Sequence, residues 1–186
     1  MRSFNHSLLR TATAILAIVG ARLDGQTSPT LLAPADLRPG IDSSPGELSP
    51  EVRSFVRHGD ALITMQRYAA GEREYRHAIA TARRQRHLSS LTSWRLASAH
   101  YYEGRPDEAA RVLDELAKEA GGFGDLAIEA RALFSAAWLH GEAGQSAEAK
   151  ARIARLEKLL RSPYMPVAVR DHLVERLAMP TVVTLR

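Results

Sequence analysis

The chain has 186 residues, 45% of them hydrophobic and 25% charged, a composition that fits one folded domain with extensions and argues against disorder of the whole chain. Its 25 basic residues barely exceed its 21 acidic ones and are interspersed with them apart from Arg83, Arg84 and Arg86, so the dense basic face of a nucleic-acid binder is not written here. There is no cysteine, which excludes disulfides, thiolate metal sites, a cysteine nucleophile and a lipid anchor on an N-terminal cysteine.

Residues 1–25 read MRSFNHSLLRTATAILAIVGARLDG. Arg2 and Arg10 supply a positive start and Thr11 to Gly20 a short apolar run. Val19 with Ala21, or Leu23 with Gly25, fits the small-residue positions before a cleavage site. The apolar run falls short of the ~20 residues that a membrane span needs. These features predict an export signal and a protein that works in a bacterial periplasm or is secreted, with membrane contact only if the segment stays uncleaved. Residues 26–48 carry Pro29, Pro34, Pro39 and Pro45, a density that blocks helix and sheet and predicts a disordered linker.

The folded domain is expected over 49–186 and starts at Ser49-Pro50-Glu51, where Ser suits a cap, Pro the first helical position and Glu the positive end of the dipole. From there to Arg161 apolar residues recur at helical spacing, interrupted by turn signals. Three segments share one pattern: TMQRYAAGEREYRHAI, YYEGRPDEAARVLDEL and EAGQSAEAKARIARL. Each has a turn, then a small residue, a larger apolar one four later and another three after that. These are Gly71, Tyr75 and Ala78, then Ala109, Leu113 and Leu116, then Ala149, Ile153 and Leu156. Gly59, Ala97 and Ala137 are the small residues at the matching point of the preceding helices, which predicts three helical hairpins whose helices approach closely. GGFG at 121–124 reads as a helix stop with Asp125 capping the next helix, because a phosphate-cradling loop would follow a strand. SPYMP then breaks the chain, and an amphipathic helix from Pro166 to about Ala178 is expected to cap the stack, ahead of the tail MPTVVTLR.

The pattern resembles the tetratricopeptide repeat. Gly104 and Gly144 match its turn glycine, Ala109 and Ala149 its second-helix alanine, and Tyr75 with Ala78 its later aromatic and alanine. Departures are Gln66 in place of the first turn glycine, the lack of a closing proline, and turn spacings longer than the family's ~34 residues. The resemblance implies an all-α fold, a right-handed superhelix of three hairpins plus a C-terminal capping helix. It also implies a concave face that binds a protein or peptide. The family's groove positions fall on Arg53, Val56, Asp60 and Ile63, on Trp94, Ser98 and Tyr101, and on Arg131, Phe134 and Trp138. Tryptophan, tyrosine and arginine dominate interface hot spots, and the arginines suit an acidic segment or a C-terminal carboxylate. Trp94 and Trp138 fit a packing role between hairpins equally well.

No GxSxG elbow, HExxH or P-loop occurs, so the expectation is a chain without catalysis, metal or cofactor. Glu74 and His77 form one E-x-x-H, where a di-iron bundle needs two such motifs and further carboxylates. His100 and His140 hold equivalent places near the ends of their helices and read as packing residues, or else as a pH-sensitive seam between repeats. The leading expectation is an exported binding scaffold. The alternative is self-association through the ends of the stack, loosened when Val169 and Leu173 of the last helix are made polar.

Overall fold

The structure, a computed structural model, describes residues 49–178. The export signal at 1–25, the linker at 26–48 and the tail from 179 lie outside the described residues. Those residues form helices and no strand: α1 (Pro50–Thr64), α2 (Tyr68–Arg84), α3 (Ser90–Tyr102), α4 (Pro106–Phe123), α5 (Leu126–Glu142), α6 (Ser146–Leu160) and α7 (Val167–Ala178). None of these helices is long and apolar enough to cross a membrane. Two starts are capped as the sequence predicts. The Ser49 hydroxyl accepts from the Val52 N–H at 3.2 Å, and the Asp125 carboxylate accepts from the Ile128 N–H at 3.0 Å.

The helix ends repeat one device. Each of the first five helices stops at a residue in the left-handed region: Gln66 at φ 60°, Arg86 at 57°, Gly104 at 76°, Gly124 at 74° and Gly144 at 74°. The N–H of the next residue then reaches back to a carbonyl in the last turn, as from Arg67 to Leu62 at 2.8 Å, Arg105 to His100 at 2.9 Å and Gln145 to His140 at 2.8 Å. This is the Schellman arrangement, which satisfies carbonyls that the helix end leaves without a partner. The sixth connection uses a side chain instead. Arg170 of α7 donates to the carbonyls of Leu160 at 3.0 Å and Ser162 at 2.7 Å.

Consecutive helices from α1 to α6 pack antiparallel, and side-chain contacts also join alternate ones. Asp60 of α1 pairs with Arg95 of α3, and Tyr101 of α3 packs on Trp138 of α5. On the other layer Arg83 of α2 meets Glu119 of α4 at 2.5 Å, and Asp114 of α4 meets Arg152 of α6 at 2.7 Å. Odd and even helices therefore form two layers, with α7 against α5 at the end of the odd layer.

The small residues at the crossings are where the sequence puts them. Ala97, Ala109, Ala137 and Ala149 are fully buried, and Gly59 faces Gly71 in the first hairpin. A Cβ at Gly59 would stand 2.6 Å from the Tyr75 ring, and one at Gly71 2.7 Å from Ile63 Cδ1. Leu113, Leu116 and Leu156 fill the space between hairpins, while Ile153 is only half-buried.

Two stability measurements test these constraints. Gly59→Ala drives a methyl into the Tyr75 ring and is expected to cost ~1–3 kcal/mol in denaturant unfolding, as overpacking does. Gln66→Gly removes the penalty of a left-handed non-glycine residue and restores the turn residue found at Gly104 and Gly144. It is expected to gain ~0.5–1 kcal/mol, read as a rise of a few degrees in Tm. No change at Gln66 would mean that the loss of chain entropy at glycine offsets the relief.

Candidate functional site

The residues that the resemblance nominates separate into three groups. Arg53 and Asp60 lie on one side of α1 and border an open groove of about 430 Å³ that α3 closes from the other side. Val56, buried, and Leu91, half-buried, give it an apolar floor, with Arg57 and Arg95 at its edges. Asp60 is already committed: its Oδ1 accepts from the Tyr75 hydroxyl at 2.7 Å, and its carboxylate pairs with Arg95. Burial, with Asp60 beside it, pushes the Tyr75 phenol far above its ordinary value, so this hydroxyl stays a donor. Arg53 and Arg57 are exposed and paired with no described residue. Ile63 is buried against Gly71 and points away from the groove.

The second group is aromatic. Tyr101 and Trp138 are half-buried, their ring centroids 5.3 Å apart, with Tyr102 edge-on to Tyr101 at 6.0 Å. Arg131, half-buried, lies two turns before Trp138 on α5. The third group leaves the face. Trp94 is 4% exposed and Phe134 5%, both inside the main core, and Ser98 is buried with its hydroxyl donated to the Trp94 carbonyl at 2.8 Å. Trp94 thus takes the packing place that the sequence left equally open, and the expected groove placement of Phe134 gives way to the core, because α3 and α5 are enclosed by neighbours on both sides and expose only a narrow stripe. On α3 that stripe is Leu91, Arg95 and Tyr102. Sequence reasoning missed Arg57, Leu91 and Arg95. The signal was available in Arg57 standing four residues after Arg53, and Arg95 four after Leu91, each pair one helical turn apart.

Away from this face, the buried carboxylates Glu72 and Glu129 are each met by an arginine, while the buried Nδ1 of His100 has no hydrogen-bond partner among the described residues. Glu72, 4% exposed, is held by Arg105, whose guanidinium also bonds Glu103 and, at 2.8 Å, Glu108. His100, 2% exposed, points Nδ1 at Glu72 from 3.2 Å and at Glu108 from 3.5 Å. Glu72, His100 and Glu103 bring ligand atoms within 4.8 Å of one another, a spacing that suits a divalent ion. Arg105 already supplies the positive charge between these carboxylates, and Arg76 lies 3.5 Å from the other His100 nitrogen. These two arginines oppose a second cation there. His140 repeats the theme with Gln145 at 2.6 Å and Asp114 at 2.9 Å, and Arg152 grips Asp114 with two nitrogens, at 2.9 and 2.7 Å. The single E-x-x-H has its members occupied separately: Glu74 faces His58 at 3.4 Å, and His77 stacks on Phe55.

These seams respond to acid in a fixed direction. Burial, helped by Arg105 and Arg76 against the pull of Glu72 and Glu108, lowers His100 below its ordinary 6.5. Burial would raise the Asp114 carboxyl, but hydrogen bonds from Arg152 and His140 outweigh it and hold it below its ordinary 3.8. Below pH 6.5 the unfolded chain takes a proton at His100 that the fold refuses, and below 3.8 it takes another at Asp114, so stability falls with pH through both windows. Denaturant unfolding across pH is expected to lose up to ~1.4 kcal/mol per pH unit just below the histidine value. His100→Gln is expected to flatten that stretch while leaving the carboxylate loss in place. An unchanged slope in His100→Gln would assign the loss to another group.

Known proteins give no guide to this face: no family model matches the chain, and neither does any curated protein or solved structure.

Proposed function

We propose that this chain is a non-catalytic binding scaffold whose odd-helix face takes a protein or peptide segment. The groove between α1 and α3 is its main site, and the segment it suits carries an acidic side chain next to an apolar one. One observation carries the reading: Arg53 and Arg57, unpaired among the described residues, stand at the edge of an apolar floor made by Val56 and Leu91. An incoming carboxylate would pair with planar, multi-donor guanidinium groups there, and its apolar neighbour would cover the floor. Tyr101, Trp138 and Arg131 extend the same layer along α3 and α5 and supply large, rigid contact area.

The finer architectural reading belongs to this proposal too. Two helical layers, left-handed turns at regular spacing and small residues at each crossing support a right-handed superhelix like that of the tetratricopeptide repeat. The N-terminal features of residues 1–25 support export, and a periplasmic or secreted scaffold is the reading they favour. The interspersed charge favours a protein partner over nucleic acid.

The test is an array of short peptides varied in charge and hydropathy, probed with the protein and with Arg53→Ala/Arg57→Ala. Peptides placing Asp or Glu beside a branched or aromatic residue are expected to bind, and the double variant to lose at least ~tenfold in affinity, ~1.4 kcal/mol. Preference for basic peptides, or equal binding by both proteins, would remove the groove from the reading.

A further inference from the structure

Resting on the groove reading, we infer that the segment docking between α1 and α3 is α7 of a second copy of this chain. The two surfaces are complementary and lie on different helices. Along α7, Val169 and Leu173 are buried at 7% and 2% exposure, so these residues hold α7 to its own chain. The opposite side of the helix is uncovered by any described residue. Val167 is 64% exposed and Val174 51%, two turns apart on one face. Asp171 lies between them and Glu175 beside them, both exposed and neither paired with a described residue. Arg170, next to Asp171 in the chain, is turned back onto the carbonyls of Leu160 and Ser162.

This face therefore presents an apolar pair with two carboxylates, and the groove presents an apolar floor with two guanidinium groups that no described residue pairs. The valines cover Val56 and Leu91, while Asp171 and Glu175 meet Arg53 and Arg57. A second α7 satisfies both surfaces at once, because each copy keeps one groove and one face. Such a contact is heterologous, joining unlike patches, and it propagates head to tail unless the rotation between copies closes a ring.

Sedimentation of the purified full chain tests this. The wild type is expected to rise from the 20.4 kDa monomer with concentration and to dissociate as salt is added. The groove variant Arg53→Ala/Arg57→Ala and the face variant Asp171→Lys/Val174→Lys are each expected to raise the apparent dissociation constant at least ~tenfold. All four positions are exposed, and circular dichroism checks that both variants remain helical. Mixed, the two variants keep one intact groove and one intact face between them, so they should form a 1:1 pair and nothing larger. A wild type that stays monomeric overturns the proposal and leaves the α7 face to some other cover. So do variants that associate as the wild type does, or a mixture that forms no pair. If the chain is monomeric while acidic peptides still bind through Arg53 and Arg57, the second copy falls and the groove reading survives.

Discussion

Every helix end exposes carbonyls without partners, and the way this chain satisfies them sets the rest of its architecture. Five successive helices end in a left-handed residue followed by a backbone N–H that reaches back into the last turn. The turn reverses the chain within a few residues, so each helix must lie antiparallel to the one before it. Repetition at nearly equal spacing then sorts odd and even helices into separate layers. The small residues at the crossings are a consequence: once a short turn fixes how near two helices start, side chains at the crossing have little room. Gly59 and Gly71 are the extreme case, because the large residues that fill the first hairpin, Tyr75 and Ile63, lie against their α-carbons. The connection into α7 departs from this scheme, and there a guanidinium takes over the capping of carbonyls.

The two layers differ in how they treat charge. Along the even helices and the seams beside them, buried or half-buried carboxylates are each met by an arginine from a later element: Glu72 by Arg105, Asp114 by Arg152, Glu129 by Arg155 at 3.0 Å. Pairs of this kind return little net stability, because desolvation takes back much of the attraction. Breaking one is costly, however, since the surviving charge stays buried. Their effect is therefore on register: a hairpin that slid by a turn would leave Glu72 or Glu129 without its partner. His100 and His140 sit in two of these seams at equivalent places, yet their surroundings are wired differently. His100 lies between arginines and carboxylates, whereas His140 touches Gln145 and Asp114.

Local chemistry is what the sequence made legible. Ser49 and Asp125 could be read as caps, and Gly104 and Gly144 as stops, because each acts on backbone a few residues away. The hairpin register could be read because Gly59, Ala97 and Ala137 recur opposite Gly71, Ala109 and Ala149. Arg86 carried no sign of a left-handed conformation, and Gln66 was marked only by standing where the repeat has its turn glycine, since nothing in either side chain demands it. The open face was harder for a geometric reason. Helices α3 and α5 are apolar or small on nearly every side, so periodicity does not say which stripe is free. Trp94 and Phe134 fell into the core on that account, and Leu91 and Arg95 took their place at the surface. Glu72 and its arginine, 33 residues apart, could not be linked without the fold.

The groove follows from the same charge accounting. Most buried acids are taken by arginines within the fold, and Asp60, the acid nearest the α1–α3 groove, is divided between Arg95 and the Tyr75 hydroxyl. Tyr75 cannot release it, because burial holds its proton in place. Among the described residues Arg53 and Arg57 are therefore left without a carboxylate of their own, although both flank an apolar floor. A partner that covered the floor with a neutral or basic segment would desolvate these guanidinium groups without pairing them, a cost of several kcal/mol by analogy with broken buried pairs. A partner that brings a carboxylate avoids that cost and gains charge-assisted hydrogen bonds. Under the proposed function, selectivity at this face would come from rejection as much as attraction. On that reading Asp60, though it lines the groove, would act on a partner only through Arg95, the arginine it removes from play.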